Sequence, residues 1–179
     1  MLDIEKLNLS LFEFTNTVRL SYGLKNVLFS NELSMLSSIH STQMKKYGFF
    51  SHTNAFNVNL KDLKDRVSYF DFSFTKVTEN IADIPLLNSL GENEFEIREV
   101  NNEIAFFSKK NKKQFFYHTI DSFSIFVITA WMNSTGHRKN ILDKDVTHLG
   151  CGAVIYYRDI NNNGIKIPYL KVTQNFARR

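Results

Sequence analysis

Apolar residues recur every three or four positions in three stretches of the chain, and this spacing predicts three helices that each bury one face. The first helix is expected to end at Gly23, and the second to begin near Ser30 or Asn31 and end at Gly48. The third runs from about Thr119 to Asn133. The three stripes are Ile4, Leu7, Leu11, Phe14 and Val18; Leu33, Leu36, His40, Met44 and Tyr47; and Ile120, Phe123, Val127 and Trp131.

The hydrophobic period changes to two near the C-terminus. Residues 149–157 and 165–176 alternate in this way and flank the turn residues DINNNG, so they predict an antiparallel hairpin. Pro168 lies inside the second strand, which predicts an edge or a bulge there because proline lacks the N–H group of a ladder hydrogen bond. Three helices and a late hairpin favour an α+β layered domain over a doubly wound sheet.

The middle of the chain predicts a smaller hairpin, because EFEIREV and EIAFF flank an Asn-Asn pair at residues 94–107. A basic loop, SKKNKKQ, follows. The whole run from Phe106 to Tyr117 mixes bases with aromatic rings, as proteins that bind single-stranded nucleic acid do. Such runs are more often solvated loops beside a core strand, and we expect no nucleic-acid partner.

Composition indicates one globular domain over residues 1–179, with 43% hydrophobic residues and a net charge of +4. That charge alone is too small to indicate nucleic acid. The longest apolar run, near residues 123–132, is far shorter than the roughly 20 residues of a membrane span, so no transmembrane segment is expected. The N-terminal residues MLDIEKLN lack a signal-peptide core. The protein is therefore either cytoplasmic, or its targeting segment lies outside this sequence.

Two of the five histidines stand where a ligand can reach them. His52 follows GFFS beyond the second helix, and His137 follows STG in the first turn of a short helix that Ser134 or Thr135 can cap. A helix N-terminus favours a neutral imidazole, which is the form that binds metal or accepts a proton. With a nearby carboxylate the pair would form an open divalent-metal site. Ordinary structural positions are the alternative for both, and His40 on its apolar stripe is expected to be a buried structural residue.

Other candidate chemistry is weaker. Glu79 in VTENIAD is an acid among apolar and amide residues, with a solvent-facing strand position as its alternative. Cys151 in LGCGA is expected to be a small buried hydrophobic residue rather than a nucleophile. No G-x-S-x-G elbow supports a serine triad. The sequence from Asp159 to Gly164 resembles the start of a calcium loop, but the expected acid at its twelfth position is Leu170 and its flanks are strands, so a hairpin turn is preferred.

Several segments in order resemble the bacterial branch of the CAP superfamily, the cysteine-rich secretory, antigen 5 and pathogenesis-related 1 proteins, whose unit is also called an SCP domain. They are NTVRLSYGLKNVLFSNEL, HSTQM, FFSHTN, ENIA, WMNSTGHRKNIL, LGCGA and VTQNF. The resemblance covers about residues 16–83 and 121–176. It implies a three-layer α-β-α sandwich, with a small antiparallel sheet between helices, and a surface cavity built around two histidines and two acids.

The resemblance assigns the cavity to His52, Glu79 and His137, and puts Ser134 where fuller members carry a second acid. The two histidines are the implied ligands of a divalent ion such as zinc. His40 and Asn80 are expected to support these residues from behind. Residues 84–117 are expected to be an insertion that is atypical of the family.

We hypothesise from the resemblance an exported or surface-located, non-enzymatic binding protein, with an export signal or lipoprotein anchor outside this sequence. Its ligand would be a lipid, a divalent metal, or a host or envelope partner. The first alternative is a zinc-dependent hydrolase that uses His52, His137 and Glu79. The second is a structural interaction protein with a vestigial cavity, in which residues 84–117 are the working surface.

Overall fold

Five helices and eight strands make up the described part of this computed structural model, residues 2–89, 91–92, 94–159 and 164–179. The helices are α1 (Ile4–Ser21), α2 (Asn31–Lys46), α3 (Leu63–Tyr69), α4 (Ile120–Met132) and α5 (Thr135–Ile141), with a 3-10 turn at Val58–Leu60. The strands are β1 (Leu28–Phe29), β2 (Lys76–Pro85), β3 (Leu87–Asn88), β4 (Phe95–Val100), β5 (Glu103–Ser108), β6 (Gln114–Tyr117), β7 (His148–Asp159) and β8 (Lys166–Arg178).

The main sheet has the strand order β1-β7-β8-β2. Its pairs are antiparallel except for β1, which runs parallel to β7. The predicted C-terminal hairpin is confirmed as β7 and β8, which pair from His148 opposite Ala177 to Asp159 opposite Lys166. Residues 160–163 of its predicted turn lie outside the described residues.

The prediction of an edge or a bulge at Pro168 is wrong for the strand as a whole, because β8 is a central strand that lies between β7 and β2. Pro168 stands opposite Tyr157 in a continuous ladder. The β2 ladder ends with Pro85 opposite Tyr169, one residue before Pro168 is reached. The Pro168 carbonyl accepts a hydrogen bond from Leu86 N at 2.8 Å. The proline is tolerated in a central strand because Leu86 O, which faces its missing N–H, accepts from His118 N at 2.9 Å instead.

Helices cover both faces of the main sheet, which confirms the α-β-α sandwich. On one face, α1 and α4 pack against β7, β8 and each other around a core that includes Leu11, Phe123, Trp131, Val172 and Phe176. On the other face, α2 lies across β7 and β8, and α3 packs near β2. Asp3, Ser30 and Thr119 accept the capping hydrogen bonds that begin α1, α2 and α4.

Two glycines let α2 approach the sheet closely. A Cβ atom on Gly150 would lie 2.1 Å from Ser34 N, and one on Gly152 would lie 2.2 Å from Ser38 N. The α2 hydroxyls of Ser37 and Ser41 donate to the carbonyls of these two glycines at 3.0 and 2.9 Å. The glycines of LGCGA are therefore required by helix packing, not by a turn.

Cys151, between the two glycines, faces the opposite core and is buried there, so the expected role as a small core residue is confirmed. Burial raises the pKa of its thiol to about 12, which keeps the thiol protonated at neutral pH.

A second sheet, with strand order β3-β6-β5-β4, is formed by residues 87–117. The predicted hairpin is confirmed: Val100 pairs with Glu103 across Asn101 and Asn102, which both have positive φ, as a two-residue type I′ turn requires. One face of this sheet packs through Phe106 and Phe115 onto Ile167, near the start of β8.

Candidate functional site

Glu79 lies on β2 opposite Asn175 of β8, and its side chain is only 4% exposed. The solvent-facing position considered for it is therefore wrong. Because strand residues alternate between faces, Glu79 points to the α2 and α3 side of the sheet, while Ala82 joins the α1 and α4 core. A carboxylate is thus buried beneath two helices, where it needs compensating partners.

Both oxygens of the Glu79 carboxylate have such partners. Its Oε1 atom lies 2.9 Å from His52 Nδ1 and 3.7 Å from His40 Nε2. Its Oε2 atom accepts a hydrogen bond from Arg66 Nη2 at 2.5 Å. In the amide orientation that gives both its oxygen and its nitrogen a hydrogen-bond partner, Asn175 also donates to Oε2 at 3.2 Å. The acid is therefore fully engaged by protein groups.

These partners keep Glu79 ionised. Burial on its own raises the pKa of this carboxyl. The hydrogen bond from His52 and the positive charge of Arg66 act in the opposite direction and prevail, so the pKa of Glu79 lies below its ordinary value. A carboxylate held in this way orients its neighbours and is a poor acceptor for a proton.

His52 lies in the loop between α2 and the 3-10 turn, with its imidazole about half exposed. Its Nδ1 atom carries the hydrogen that is donated to ionised Glu79, so the neutral ring has its lone pair on Nε2. Arg66 also fixes the backbone here, because Arg66 Nη1 donates to His52 O at 3.3 Å. One guanidinium thus holds both the loop that carries His52 and the acid that sets its tautomer.

His40 lies behind this pair and is fully buried, in the supporting location expected for it. Its Nε2 donates to Ser51 O at 3.0 Å, next to His52 in the chain. Burial is the main cause that lowers the pKa of His40 to about 4, so the ring is neutral at physiological pH. Within the described chain its Nδ1 atom has no hydrogen-bond partner.

His137 reaches the site on α5, which polar side chains attach to the edge strand β2. Asn140 Nδ2 donates to Glu79 O at 3.2 Å and to Asn80 Oδ1 at 2.8 Å. Asn80 Nδ2 in turn donates to His137 O at 3.3 Å. At the far end of α5, Arg19 Nη1 donates to Ile141 O at 2.7 Å. The first and last turns of this seven-residue helix are therefore both anchored.

The imidazole of His137 is half-buried, and its centroid lies 6.3 Å from that of Trp131. Burial, followed by the charge of His52, lowers the pKa of His137. The second cause indicates that the two imidazoles share one electrostatic environment. The neutral imidazole is therefore favoured, with burial as the main cause and not the helix N-terminus from which it was predicted.

Ser134 is the residue that precedes α5 and is half-buried. Its carbonyl accepts from Arg138 N at 2.8 Å and its N–H donates to Trp131 O at 3.1 Å. The Ser134 side chain makes no capping hydrogen bond. It therefore marks the turn between α4 and α5, and it brings no charge to the site.

The site does not fit a zinc centre that needs three protein ligands. Among the described residues, no group of three or more His, Cys, Asp and Glu side chains is arranged to hold a metal ion. His52 and His137 offer imidazole nitrogens, but the Glu79 carboxylate is occupied by Arg66 and His52. Catalytic zinc sites use three protein ligands and one open position. The residues of this site therefore offer at least one ligand fewer than a catalytic zinc site uses.

Three residues that organise the site were not predicted from the sequence: Arg66, Asn140 and Asn175. Arg66 lies among the charged residues of LKDLKDR, a pattern typical of a solvated helix, so nothing marked it as buried. Asn140 belongs to the segment GHRKNIL, where only the histidine was singled out. Asn175 belongs to the strand segment VTQNF, and the signal available for it was an amide at a position that strand alternation buries.

The sandwich and this site define a CAP domain. The family model of the cysteine-rich secretory protein family, CAP, matches residues 12–176, and the chain belongs to this family. An SCP-domain structure of an extracellular protein from Bacillus anthracis superposes with a TM-score of 0.63 at 23% identity, covering 98% of this chain and 41% of that one. An outer surface protein of Borrelia burgdorferi superposes with a TM-score of 0.55 at 15% identity, covering 94% and 90%.

Two curated relatives come from Bacillus subtilis. The chain is 25% identical over 169 residues to the uncharacterized membrane protein YlbC, covering 94% of this chain and 34% of YlbC. It is 28% identical over 142 residues to the uncharacterized protein YkwD, covering 79% and 40%. The chain thus spans little more than a third of the length of these relatives. Among the helices described here, none combines the length and apolar character that crossing a bilayer requires.

Proposed function

We propose that this CAP domain is a non-enzymatic binding module of an exported or surface-located bacterial protein, and that ligands bind at the imidazoles of His52 and His137. The observation that carries the proposal is the engagement of Glu79. A carboxylate that is buried, ionised and bonded to Arg66 at 2.5 Å stabilises a binding geometry. It is poorly suited to take a proton from an attacking water.

The same observation weighs against the zinc-dependent hydrolase. That mechanism needs a metal-bound water and a free base, whereas Glu79 is paired and Ser134 supplies only a hydroxyl. The two imidazoles alone make divalent metal the least supported of the expected ligands. A lipid, or another amphipathic molecule with a polar head, fits better, because imidazoles hydrogen-bond to polar groups and the apolar ring of Trp131 lies beside His137.

The proposed surface location is supported by the locations of proteins that are similar in structure or sequence. Structural neighbours include an extracellular protein and an outer surface protein, and one curated relative is described as a membrane protein. In our proposal the domain acts outside the cell or at its surface. A lipoprotein anchor would belong to a part of the protein beyond this sequence.

The imidazoles themselves provide the test. Side-chain NMR spectra of His52 and His137 are recorded during titration with monopalmitoyl glycerol and, separately, with zinc ion. We expect saturable shifts of both rings with the lipid and loss of binding in His52→Ala and His137→Ala. His148→Ala, which changes a half-buried histidine outside the site, is the control. Lipid binding that survives both site substitutions would overturn the proposal.

Catalysis is tested separately with peptide and ester substrates in the presence of zinc. We expect turnover no higher than in His52→Ala. Turnover that depends on both His52 and His137 would replace the binding module by the hydrolase. The structural alternative, in which residues 84–117 are the working surface, predicts that lipid titration shifts neither imidazole.

A further inference from the structure

The loop between α2 and α3 exposes large apolar side chains to solvent. Phe50 is 51% exposed, Phe56 is 57% exposed, and Val58, at 79%, is the most exposed large hydrophobic residue among those described. Leu60, which follows, is buried and ties this segment to the domain. Exposed apolar residues that cluster on one segment mark an interaction surface more often than scattered ones do.

Packing holds this loop in shape. The rings of Tyr47 and Phe56 stack at 5.0 Å, and Phe49 meets Phe56 at 5.8 Å. Asn54 fixes the centre of the loop, because its Nδ2 donates to Gln43 Oε1 at 3.2 Å and its backbone N–H donates to Lys61 O at 2.8 Å. The apolar side chains are therefore presented by an ordered segment, which lowers the entropy cost of binding.

Lysines lie on both sides of this segment in the chain. Lys45, Lys46, Lys61 and Lys64 are all exposed, and within the described chain none of them forms an ion pair. The neighbouring acids, Asp62 and Asp65, are hydrogen-bonded in the capping box that begins α3. Residues 45–65 contain four lysines and two aspartates and therefore carry a net charge of +2. The next residue, Arg66, is paired with Glu79. The lysine–aromatic surface, meaning Phe50, Phe56, Val58 and these four lysines, thus combines apolar and cationic character.

We propose that the lysine–aromatic surface docks on an anionic phospholipid bilayer. Aromatic and aliphatic side chains that enter the headgroup region, flanked by lysines that reach the phosphates, are how proteins bind to the surface of a bilayer. A protein partner fits less well, because lysine is depleted at protein–protein interfaces. A surface groove of about 610 Å³, lined by Gly23, Lys25 and Lys144, lies elsewhere on the domain.

The docking surface lies next to the candidate site along the chain. His52 is two residues from Phe50 and its imidazole is half exposed, so docking brings the His52 loop to the headgroups. The inference rests on the proposed surface location, since an anionic leaflet must be within reach. It does not rest on ligand binding at His52, and the two are measured independently.

Co-sedimentation with vesicles tests the docking. The purified chain is spun with vesicles of equimolar phosphatidylglycerol and phosphatidylcholine, and with vesicles of phosphatidylcholine alone. We expect binding to the anionic vesicles that weakens with added salt. The double variant Phe56→Ser with Val58→Ser should bind at least about tenfold more weakly because it removes apolar contact area. Lys61→Ala should bind about fivefold more weakly.

Matched controls lie at the other end of α2, whose 16 residues span about 24 Å. Leu28, at 63% exposed, and Phe29 lie on β1, and Lys25 is exposed just before it. Leu28→Ser with Phe29→Ser, and Lys25→Ala, should bind anionic vesicles like the unchanged chain. All substituted side chains are exposed, so far-UV circular dichroism should show that every variant folds.

Three results would overturn the docking: no sedimentation with anionic vesicles, equal sedimentation with phosphatidylcholine alone, or equal losses in the control variants. Capture of the chain by a cell-wall glycan or a protein through Phe56 and Val58, without vesicle binding, would assign the surface to another partner. Vesicle binding is read from the Phe56, Val58 and Lys61 variants, whereas ligand binding is read from the ring signals of His52 and His137. Failure of ligand binding at the imidazoles is thereby separated from failure of membrane docking.

Discussion

Arg66 Nη2 lies 2.5 Å from Glu79 Oε2, and both side chains are shielded from solvent. This ion pair connects α3 to the edge strand of the main sheet. Through Glu79 it orients His52, and through the His52 carbonyl it fixes the loop that presents the imidazole. The candidate site is therefore organised around a buried charge pair.

Arg66→Met should cost about 3–5 kcal/mol of unfolding free energy, because it leaves the Glu79 charge buried without its counter-ion. Urea denaturation of the variant and the unchanged chain at neutral pH measures this loss of unfolding free energy. The chain offers a matched control in Arg98, which lies 2.5 Å from Glu96 on the partly exposed β4. Arg98→Met should cost less than about 1 kcal/mol. Equal losses in the two variants would show that burial does not distinguish the pairs.

Stability should rise between pH 4 and pH 6.5 through His40. Its folded pKa is lowered to about 4 from 6.5, so in this range the unfolded chain binds a proton that the folded chain does not. The contribution is fully present above pH 6.5 and diminishes as the pH falls towards 4, by about 3 kcal/mol.

The charged groups that face His40 are Glu79, Arg66 and His52. Denaturation curves at several pH values, compared between the unchanged chain and His40→Gln, isolate the contribution of His40. The variant should have a flatter pH dependence between pH 4 and 6.5. Parallel profiles for the two proteins would contradict the assignment, and His148→Gln, at a half-buried histidine away from Glu79, is the control.

Gly152→Ala should destabilise the sandwich by about 1–3 kcal/mol or more, because the added methyl group would overlap the backbone of α2 at Ser38. Thermal unfolding compares the stability of the variant with that of the unchanged chain. Gly136→Ala is the opposite case, since a Cβ atom on this α5 glycine meets nothing within 4 Å. Alanine should stabilise α5 there by up to about 1 kcal/mol. Destabilisation of similar size at both glycines would point to a cause other than packing.

Asn140→Ala should loosen α5 from β2 and cost about 1–3 kcal/mol, because two hydrogen bonds to Glu79 O and Asn80 Oδ1 are lost. The NMR signals of the His137 ring should shift or broaden as its support is removed. Lys139→Ala, at an exposed position of the same helix, should leave both stability and the His137 signals nearly unchanged. An unaltered His137 spectrum in Asn140→Ala would show that α5 is held by other contacts.

The local pattern of hydrophobic residues was sufficient to predict the main helices and strands. The stripes of α1, α2 and α4 and the alternation of β7 and β8 predicted the helices and the C-terminal hairpin, because burial of one face repeats with the period of each structure. The segments FFSH, ENIA and GHRKNIL indicated the CAP family, which its family model confirms. The short elements β1 and α3 were not predicted, since they carry too few residues to show a period.

The sequence by itself determined the layered α+β class, the family and the histidines worth attention, because these depend on residue type and on periodicity within one segment. Only the tertiary structure decided what surrounds Glu79. Its neighbours Arg66, His52 and His40 come from three segments whose meeting depends on how α2 and α3 pack on the sheet. A charge on the surface of a helix and a charge in a buried ion pair look alike in a sequence. They differ only in whether the folded chain removes water from around them.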